Sequence, residues 1–225
     1  MVHGWPSLSS SVDNIFLLIT AISLVILLGV TGVMIWFSIR YNRKRHPQAE
    51  NIEGNIILEI VWTAVPTLLV LAIFYVGWKG FVYQRTVPKE AMLVKVTGRM
   101  WSWHFEYENG ASGEKLRVPA GKPVKLAITS SDVLHSLFIP AFRVKEDAVP
   151  GMETYLWFQP GQPGTFDLFC SEYCGVGHSS MVSTVEVMTE KEFQDWYGAN
   201  AKVPSQQTAS KAPPPDGAKL FQDKG

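Results

Sequence analysis

The sequence has few charged residues and no excess of either sign. Asp, Glu, Lys and Arg make up 18% of the 225 residues, whereas a typical soluble domain has about 25%. The 20 basic and 20 acidic residues cancel, which excludes a strongly basic protein that binds nucleic acid and an acidic solvating segment. Only two cysteines are present, Cys170 and Cys174, and this number excludes a disulfide framework.

Apolar residues are abundant instead, and two long apolar runs predict transmembrane helices. Residues 15–37 contain no charged side chain, and residues 56–78 contain one, Glu59. As a helix, each run reaches across the roughly 30 Å of hydrocarbon in a bilayer. Both runs are too long for an ordinary buried core helix, and the first lacks the basic segment and the cleavage site of a signal peptide.

The basic residues between the two runs predict the orientation of the hairpin. The connector carries Arg40, Arg43, Lys44 and Arg45, whereas the first fourteen residues contain no lysine or arginine. By the positive-inside rule the connector faces the cytoplasm. Both ends of the chain, and everything after residue 79, are therefore expected on the extracytoplasmic side.

The region after residue 80 predicts an all-β domain. Six short runs rich in β-branched and aromatic residues begin near residues 91, 100, 123, 153, 164 and 181. Strands at such spacing are typical of an antiparallel sandwich or barrel. A closing helix is expected from Thr189, where Thr-Glu-Lys-Glu fits a capping box.

Three parts of the chain follow from these patterns. We expect a transmembrane hairpin over residues 1–80 and an extracytoplasmic β domain over residues 81–200. From about Ala201 the composition turns to Ala, Lys, Pro, Ser and Gln, which indicates an extended linker. Residues 201–225 are therefore expected to be a linker or the beginning of a further domain.

Sulfur and nitrogen ligands cluster in one window of the β region. Cys170, Cys174, His178 and Met181 lie within twelve residues, and this soft set favours copper or zinc over magnesium or calcium. A disulfide between the two cysteines is one alternative, but it would not need His and Met on the same loop. Zinc is another alternative, although structural zinc sites rarely use Met.

The second cysteine bears on the number of metal ions. A mononuclear blue-copper site uses one cysteine, two histidines and a weak axial methionine, so this window offers one thiolate more than that site needs. Two thiolates can bridge two copper ions, and a symmetric pair then needs another nitrogen ligand. Of the remaining histidines, His135 is the best candidate because it follows an apolar strand and stands at a strand or turn edge.

In these features the chain resembles subunit II of the haem-copper cytochrome c oxidases, over roughly residues 12–200. Five segments carry the resemblance in order behind the first apolar run. They are Glu59-Ile-Val-Trp-Thr-Ala-Val-Pro66, Trp101-Ser-Trp-His-Phe-Glu106-Tyr, Asp132-Val-Leu-His135-Ser, Asp147-Ala-Val-Pro-Gly151 and the Cys-x3-Cys-x3-His-x2-Met loop.

The resemblance implies a cupredoxin-like β barrel or sandwich that holds a binuclear copper centre, CuA. It implies that Cys170 and Cys174 bridge the coppers and that Glu172 binds through its backbone carbonyl. His135, His178 and Met181 are then the terminal copper ligands. The carboxylate of Glu172 is implied to reach a magnesium ion shared with subunit I, and the haems are expected in subunit I only.

Two further residues receive roles by resemblance. Trp101 matches the aromatic residue through which electrons reach the copper, whereas spacing alone leaves core packing on a strand equally open. Glu59 matches the carboxylate at the mouth of the K proton channel. A carboxylate inside a span is costly and is functional by default, but a harmless interfacial Glu is the alternative.

The implied function is the electron-accepting subunit of a respiratory terminal oxidase. Electrons would come from cytochrome c, soluble or fused, and pass to the haems of subunit I, where dioxygen is reduced to water with proton pumping. Subunits I and III and the lipid bilayer are the expected partners. The expected location is the cell inner membrane, with both termini and the CuA domain in the periplasm.

Two other functions are weighed against this one. A quinol oxidase subunit II shares the fold but lacks the copper ligands, and a copper chaperone or storage protein would not need Glu59 in its span. The last residues, 216–225, resemble the first helix of a class I cytochrome c domain. A fused cytochrome domain and an ordinary chain terminus are both left open there.

Overall fold

Two long helices form the membrane hairpin of the computed structural model, which describes residues 8–48 and 53–202. They are α1 (Leu8–Arg40) and α2 (Ile56–Arg85), so both extend past the predicted spans of 15–37 and 56–78. The most apolar parts of both helices have no buried residues. Because these surfaces contact no protein core within the described residues, the alternative of a buried core helix is wrong.

The start of α2 is fixed by a side-chain cap. Asn55 has an extended backbone, and its Oδ1 accepts hydrogen bonds from the backbone N–H groups of Ile57 and Leu58 at 3.0 and 3.1 Å. Such a cap satisfies two of the donors that a helix leaves unpaired at its first turn. The cap places Glu59 in the first turn of α2.

Within the described residues, ten strands follow the hairpin and form two five-stranded sheets. The order in one sheet is β3-β2-β1-β5-β8 and in the other β4-β10-β9-β6-β7. The pairs β1–β5 and β4–β10 are parallel, and the other pairs are antiparallel. The strands are β1 (Met92–Arg99), β2 (Ser102–Tyr107), β3 (Ser112–Gly113), β4 (Leu116–Pro119), β5 (Val124–Ser130), β6 (His135–Ile139), β7 (Val144–Ala148), β8 (Thr154–Phe158), β9 (Gly164–Cys170) and β10 (Val182–Met188).

Alternating side chains of the strands fill one hydrophobic core. On β2 the buried residues are Trp103, Phe105 and Tyr107, at every second position, because successive side chains of a strand point to opposite faces. The six predicted strands are β1, β2, β5, β8, β9 and β10. The prediction of an all-β domain is therefore confirmed, whereas the expectation of purely antiparallel strands is wrong, because β1–β5 and β4–β10 are parallel. The short strands β3, β4, β6 and β7 were not individually predicted.

A short helix, α3 (Glu190–Ala199), closes the β domain as the sequence predicted. Its capping box is complete, because Thr189 accepts from the backbone N–H of Glu192 and the Glu192 carboxylate accepts from the N–H of Thr189. Phe193 is buried, and Trp196 packs edge-on against Tyr107 with 5.0 Å between the ring centroids.

Candidate metal centre

Four of the predicted ligand side chains lie at the end of β9 and on the following loop, which folds back on itself before β10. The backbone N–H of Cys170 donates to the carbonyl of Met181 at 3.2 Å and closes the loop. Gly175 has a φ of +111°, a conformation open to glycine and strained for other residues. The sharp bend there turns Cys174 and His178 toward Cys170.

The two cysteines are free thiols, and their sulfur atoms lie 3.8 Å apart. The alternative of a disulfide is therefore wrong for this structure. The Sγ of Cys174 also lies 3.6 Å from Nδ1 of His178 and 3.8 Å from the Sδ of Met181. Four of the predicted ligand side chains thus converge within the loop.

The fifth predicted ligand side chain comes from the neighbouring strand β6. His135 is its first residue and is fully buried, and Nδ1 of His135 lies 3.9 Å from the Sγ of Cys170. The ligand atoms of His135, Cys170 and Cys174 all lie within 4.8 Å of one another. The carbonyl oxygen of Glu172 is 3.3 Å from the Sγ of Cys170, so the predicted backbone ligand also faces the cluster.

The chemistry of this donor set fits copper. Two buried thiols, two imidazoles and a thioether are soft ligands that select copper over hard cations. By contrast, the carboxylate of Glu172 belongs to no group of three or more metal-ligating side chains in the described part of the chain. A magnesium ion bound there would take its other ligands from outside these residues.

Asp132 fixes the orientation of His135. Its Oδ1 accepts a hydrogen bond from Nε2 of His135 at 2.8 Å, and its Oδ2 accepts one from the backbone N–H of Met100 at 2.6 Å. Burial raises the pKa of this carboxyl, but the hydrogen bonds from Met100, His135 and Val133 outweigh burial and lower the pKa to about 2. An ionised carboxylate only accepts, so Nε2 carries the proton and Nδ1 keeps its lone pair for a metal.

Burial holds the proton on the Cys174 thiol. Burial, and after it the neighbouring Cys170, raises the pKa of the Cys174 thiol to about 11. The thiolate is the form that binds metal. A bound cation must therefore displace this proton, and metal binding is coupled to proton release.

Trp101 lies on the surface of the ligand loop, between β1 and β2. Its side chain is 41% exposed, whereas that of Trp103 is 1% exposed, so core packing describes Trp103 and is wrong for Trp101. The indole Nε1 donates to the carbonyl of Cys174 at 3.1 Å. The ring rests on Gly177, where an added Cβ would lie only 2.3 Å from Cδ2 of the indole.

Glu59 lies apart from the metal cluster, at the opposite end of the hairpin from the β domain. It shares one face of α2 with Thr63 and Thr67, at four-residue spacing, and these three residues line an open groove. The Oγ1 of Thr67 donates to the carbonyl of Thr63 at 2.7 Å. Ile60, Ala64 and Leu68 also line the groove, so its surface is mostly apolar and carries these three polar side chains along it.

Two contributors to the site were missed by reasoning from the sequence. Asp132 was not expected to bind His135, although its position three residues before a candidate ligand is a usable signal. No contact of Gly177 was predicted from the sequence, whereas the structure shows that its missing side chain makes room for Trp101. No sequence pattern signals that contact.

Together, the membrane hairpin, the two-sheet β domain and the buried sulfur–imidazole cluster define a membrane-anchored metal-binding protein. Comparison with protein families narrows this class. The family described as the transmembrane domain of cytochrome c oxidase subunit II matches residues 6–77. The family described as its periplasmic domain matches residues 109–188, a range that includes the whole cluster.

Individual relatives agree with the family matches. The chain is 31% identical to cytochrome c oxidase subunit 2 of Cereibacter sphaeroides, over 82% of this chain and 73% of that protein. It is 34% identical to an alternative cytochrome c oxidase subunit 2 of Bradyrhizobium diazoefficiens, over 70% of this chain and 68% of that protein. The solved periplasmic domain of subunit II from Bradyrhizobium japonicum is 32% identical, covers 51% of this chain and 96% of its own, and has a TM-score of 0.49.

The chain belongs to the cytochrome c oxidase subunit II family. It is a subunit of a cytochrome c oxidase complex, with two membrane helices and a cupredoxin-like periplasmic domain. The predicted family and the predicted fold class are both confirmed.

Proposed function

We propose that this subunit accepts electrons from cytochrome c at a binuclear CuA centre held by Cys170 and Cys174. The observation that carries the proposal is the symmetry of the cluster. The two sulfurs lie 3.8 Å apart, and each has its own imidazole nitrogen, His135 at 3.9 Å from Cys170 and His178 at 3.6 Å from Cys174. A mononuclear blue-copper site has one cysteine and would leave one of these thiols without a use.

The remaining ligands complete an enclosed site. Met181 and the carbonyl of Glu172 face the two sulfurs, and both His135 and Met181 have no exposed surface. A copper pair held by Cys170 and Cys174 would supply a one-electron carrier. The buried side chains exclude water from it, and Asp132 holds the imidazole of His135 in place.

Trp101 is proposed as the residue through which the electron reaches the site. Its indole is exposed to an incoming donor on one side and hydrogen-bonded to the backbone of Cys174 on the other. A single side chain thus connects the protein surface with a bridging ligand. From the copper pair the electron would pass to the haems of subunit I, where dioxygen is reduced and protons are pumped.

Glu59 is proposed as the carboxylate at the mouth of a proton channel shared with subunit I. Three polar side chains at four-residue spacing on one face of α2, those of Glu59, Thr63 and Thr67, support this role, because polar side chains within a span face protein or water rather than lipid. The basic connector supports a cytoplasmic location for this end of α2. The periplasmic domain would then lie on the outer side of the cell inner membrane. We also propose subunits I and III as partners of this chain and a magnesium ion at the carboxylate of Glu172.

The domain limits are part of the proposal. We assign residues 1–80 to the membrane hairpin and residues 81–200 to the CuA domain. The predicted linker or further domain, residues 201–225, lies almost wholly outside the described residues, as does the segment 216–225 that resembles a cytochrome c helix.

Quinol oxidase and copper storage remain the alternatives, and the complete ligand set argues against the first.

Replacement of Trp101 by phenylalanine tests the proposed electron path. The change keeps an aromatic ring but removes the N–H that donates to Cys174. We expect slower reduction of the copper site by cytochrome c in stopped-flow measurements, with an unchanged copper spectrum and unchanged donor binding. A wild-type reduction rate would remove Trp101 from the path.

A further inference from the structure

The core face of β1 lacks a side chain at one position. The buried residues of this strand are Val94, Val96 and Gly98, so two valines fill the core and the third position contributes only backbone. Gly98 lies opposite Trp103 of β2 in the antiparallel register. A glycine inside a strand often marks a site where another part of the molecule approaches the backbone closely.

Two buried rings approach the backbone at this glycine. A Cβ added at Gly98 would lie 3.1 Å from Cζ3 of Trp103 and 3.2 Å from Cδ2 of His135. The rings of Trp103 and His135 meet edge to face, with 6.1 Å between their centroids and 66° between their planes, an arrangement that aromatic pairs prefer. Because both rings are buried, each limits the movement of the other.

Three contacts therefore surround the imidazole of His135. Asp132 accepts a hydrogen bond from Nε2, Gly98 lies beside Cδ2, and Trp103 packs against the ring. Cδ2 and Nδ1 lie on opposite sides of the imidazole. A contact at Cδ2 thus limits how far Nδ1 can withdraw from the Sγ of Cys170, which lies 3.9 Å away.

The contact of Trp103 is made through its ring and not through its N–H group. Nε1 is buried and has no hydrogen-bond acceptor among the described residues. A buried donor without a partner is unfavourable, so hydrogen bonding does not account for a tryptophan here. The ring does, because it covers the imidazole of His135 in the buried core. Trp103→Phe would keep part of this contact.

We propose that Gly98 and Trp103 are positioning residues of the copper site, which together hold His135 in the orientation that turns Nδ1 toward the sulfur of Cys170. The inference rests on the proposed role of His135 as a copper ligand. Carbon atoms in contact normally stay about 3.5–4.0 Å apart, so a methyl group at Gly98 must displace the rings by about 0.3 Å or more. Ligand groups have to stay within about 0.5 Å of their productive geometry.

The test compares the wild type with Gly98→Ala, Trp103→Phe and Trp103→Leu in the purified, copper-loaded chain. Electron-nuclear double resonance measures the nitrogen coupling of each histidine ligand, and competition with a chelator measures the copper affinity. We expect Gly98→Ala and Trp103→Leu to change the coupling of one nitrogen only, the one that Asp132→Asn also changes. Both should lower the affinity about tenfold, the smaller loss typical of a group that supports a ligand. Trp103→Phe should change both properties less than Trp103→Leu does.

Gly113→Ala is the matched control, because Gly113 lies in the same sheet and nothing lies within 4 Å of its added methyl group. Its couplings and affinity should equal those of the wild type. Gly98 has no positive φ, so alanine there introduces a steric contact without backbone strain. Wild-type couplings and affinity in both Gly98→Ala and Trp103→Leu would overturn the proposal. Equal changes at both histidine nitrogens would also overturn it, because they would indicate a general loosening of the site.

The copper-free chain separates this inference from the proposed function. Nuclear magnetic resonance of the protein with ¹³C-labelled histidine reports on Cδ2 of His135. We expect its resonance to move in Gly98→Ala and Trp103→Leu and to stay in Gly113→Ala, with the resonance of His178 unchanged throughout. If the wild type binds one copper and these shifts appear, the copper pair is wrong and the support of His135 stands. An unmoved His135 resonance would refute that support even in a chain that binds two coppers.

Discussion

Gly177→Ala tests the proposed electron path selectively, because this substitution displaces the indole of Trp101 without changing any proposed copper ligand. A methyl group at residue 177 would lie 2.3 Å from Cδ2 and 2.6 Å from Cγ of the indole. Carbon atoms in contact normally stay about 3.5–4.0 Å apart, so the ring must move by more than about 1 Å. The hydrogen bond from Nε1 to Cys174 is already 3.1 Å long, near the usual limit of about 3.2 Å, and it would break.

We expect electron uptake from cytochrome c to become slower, by a factor between severalfold and about 100. A displacement of about 1 Å from the productive geometry can reduce a rate by this much. The backbone itself tolerates the change, since φ of Gly177 is −88°, within the range of any residue. The ligand loop should therefore keep its shape. Copper content, the copper spectrum and donor binding are expected to stay at wild-type values.

Stopped-flow reduction of the copper site by cytochrome c measures the effect, with Trp101→Phe as the reference. Gly113→Ala is the matched control, because nothing lies within 4 Å of its added methyl group. Gly175→Ala is the contrast, since its φ of +111° predicts a strained loop and an altered copper spectrum. If Gly177→Ala reduces at the wild-type rate while Trp101→Phe is slow, the position of the indole does not control the transfer and the reasoning is refuted.

Two further predictions concern groups outside the copper ligands. Asp132→Asn removes the charged acceptor of His135 and should weaken copper binding about 10- to 100-fold in competition with a chelator; an unchanged affinity would mean that packing alone orients the imidazole. Glu59→Gln replaces a group that exchanges protons by one that cannot and should slow reduction of the catalytic centre without changing the copper spectrum. Wild-type turnover across the pH range would favour the interfacial alternative for Glu59.

The fold was largely predictable because its strongest signals are local. Charge-free runs of helix length, period-two alternation and the Thr189 capping box each act within a few residues. The structure confirms the two long helices, six strands and α3, although α1 and α2 both extend several residues past the predicted spans. The short strands β3, β4, β6 and β7 were harder to predict, because a strand of two to five residues shows little periodicity.

The parts of the site whose residues are neighbours in the sequence could be predicted. The parts that form only when the fold brings distant segments together could not. Cys170, Cys174, His178 and Met181 share one loop, so their spacing revealed the cluster. His135 was selected by elimination and was placed by resemblance, and the fold brings it to 3.9 Å from Cys170. The contacts of Trp101 with Cys174 and Gly177 join segments more than seventy residues apart. Nothing in the composition of the sequence indicates these contacts.

Copper analysis combined with electron paramagnetic resonance tests most directly whether Cys170 and Cys174 share one copper pair. The purified subunit is loaded with copper, and the bound metal and the hyperfine pattern are measured on the same sample. We expect two coppers for each chain and one unpaired electron divided equally between the two nuclei. One copper for each chain, with the hyperfine pattern of a single nucleus, would contradict the shared pair.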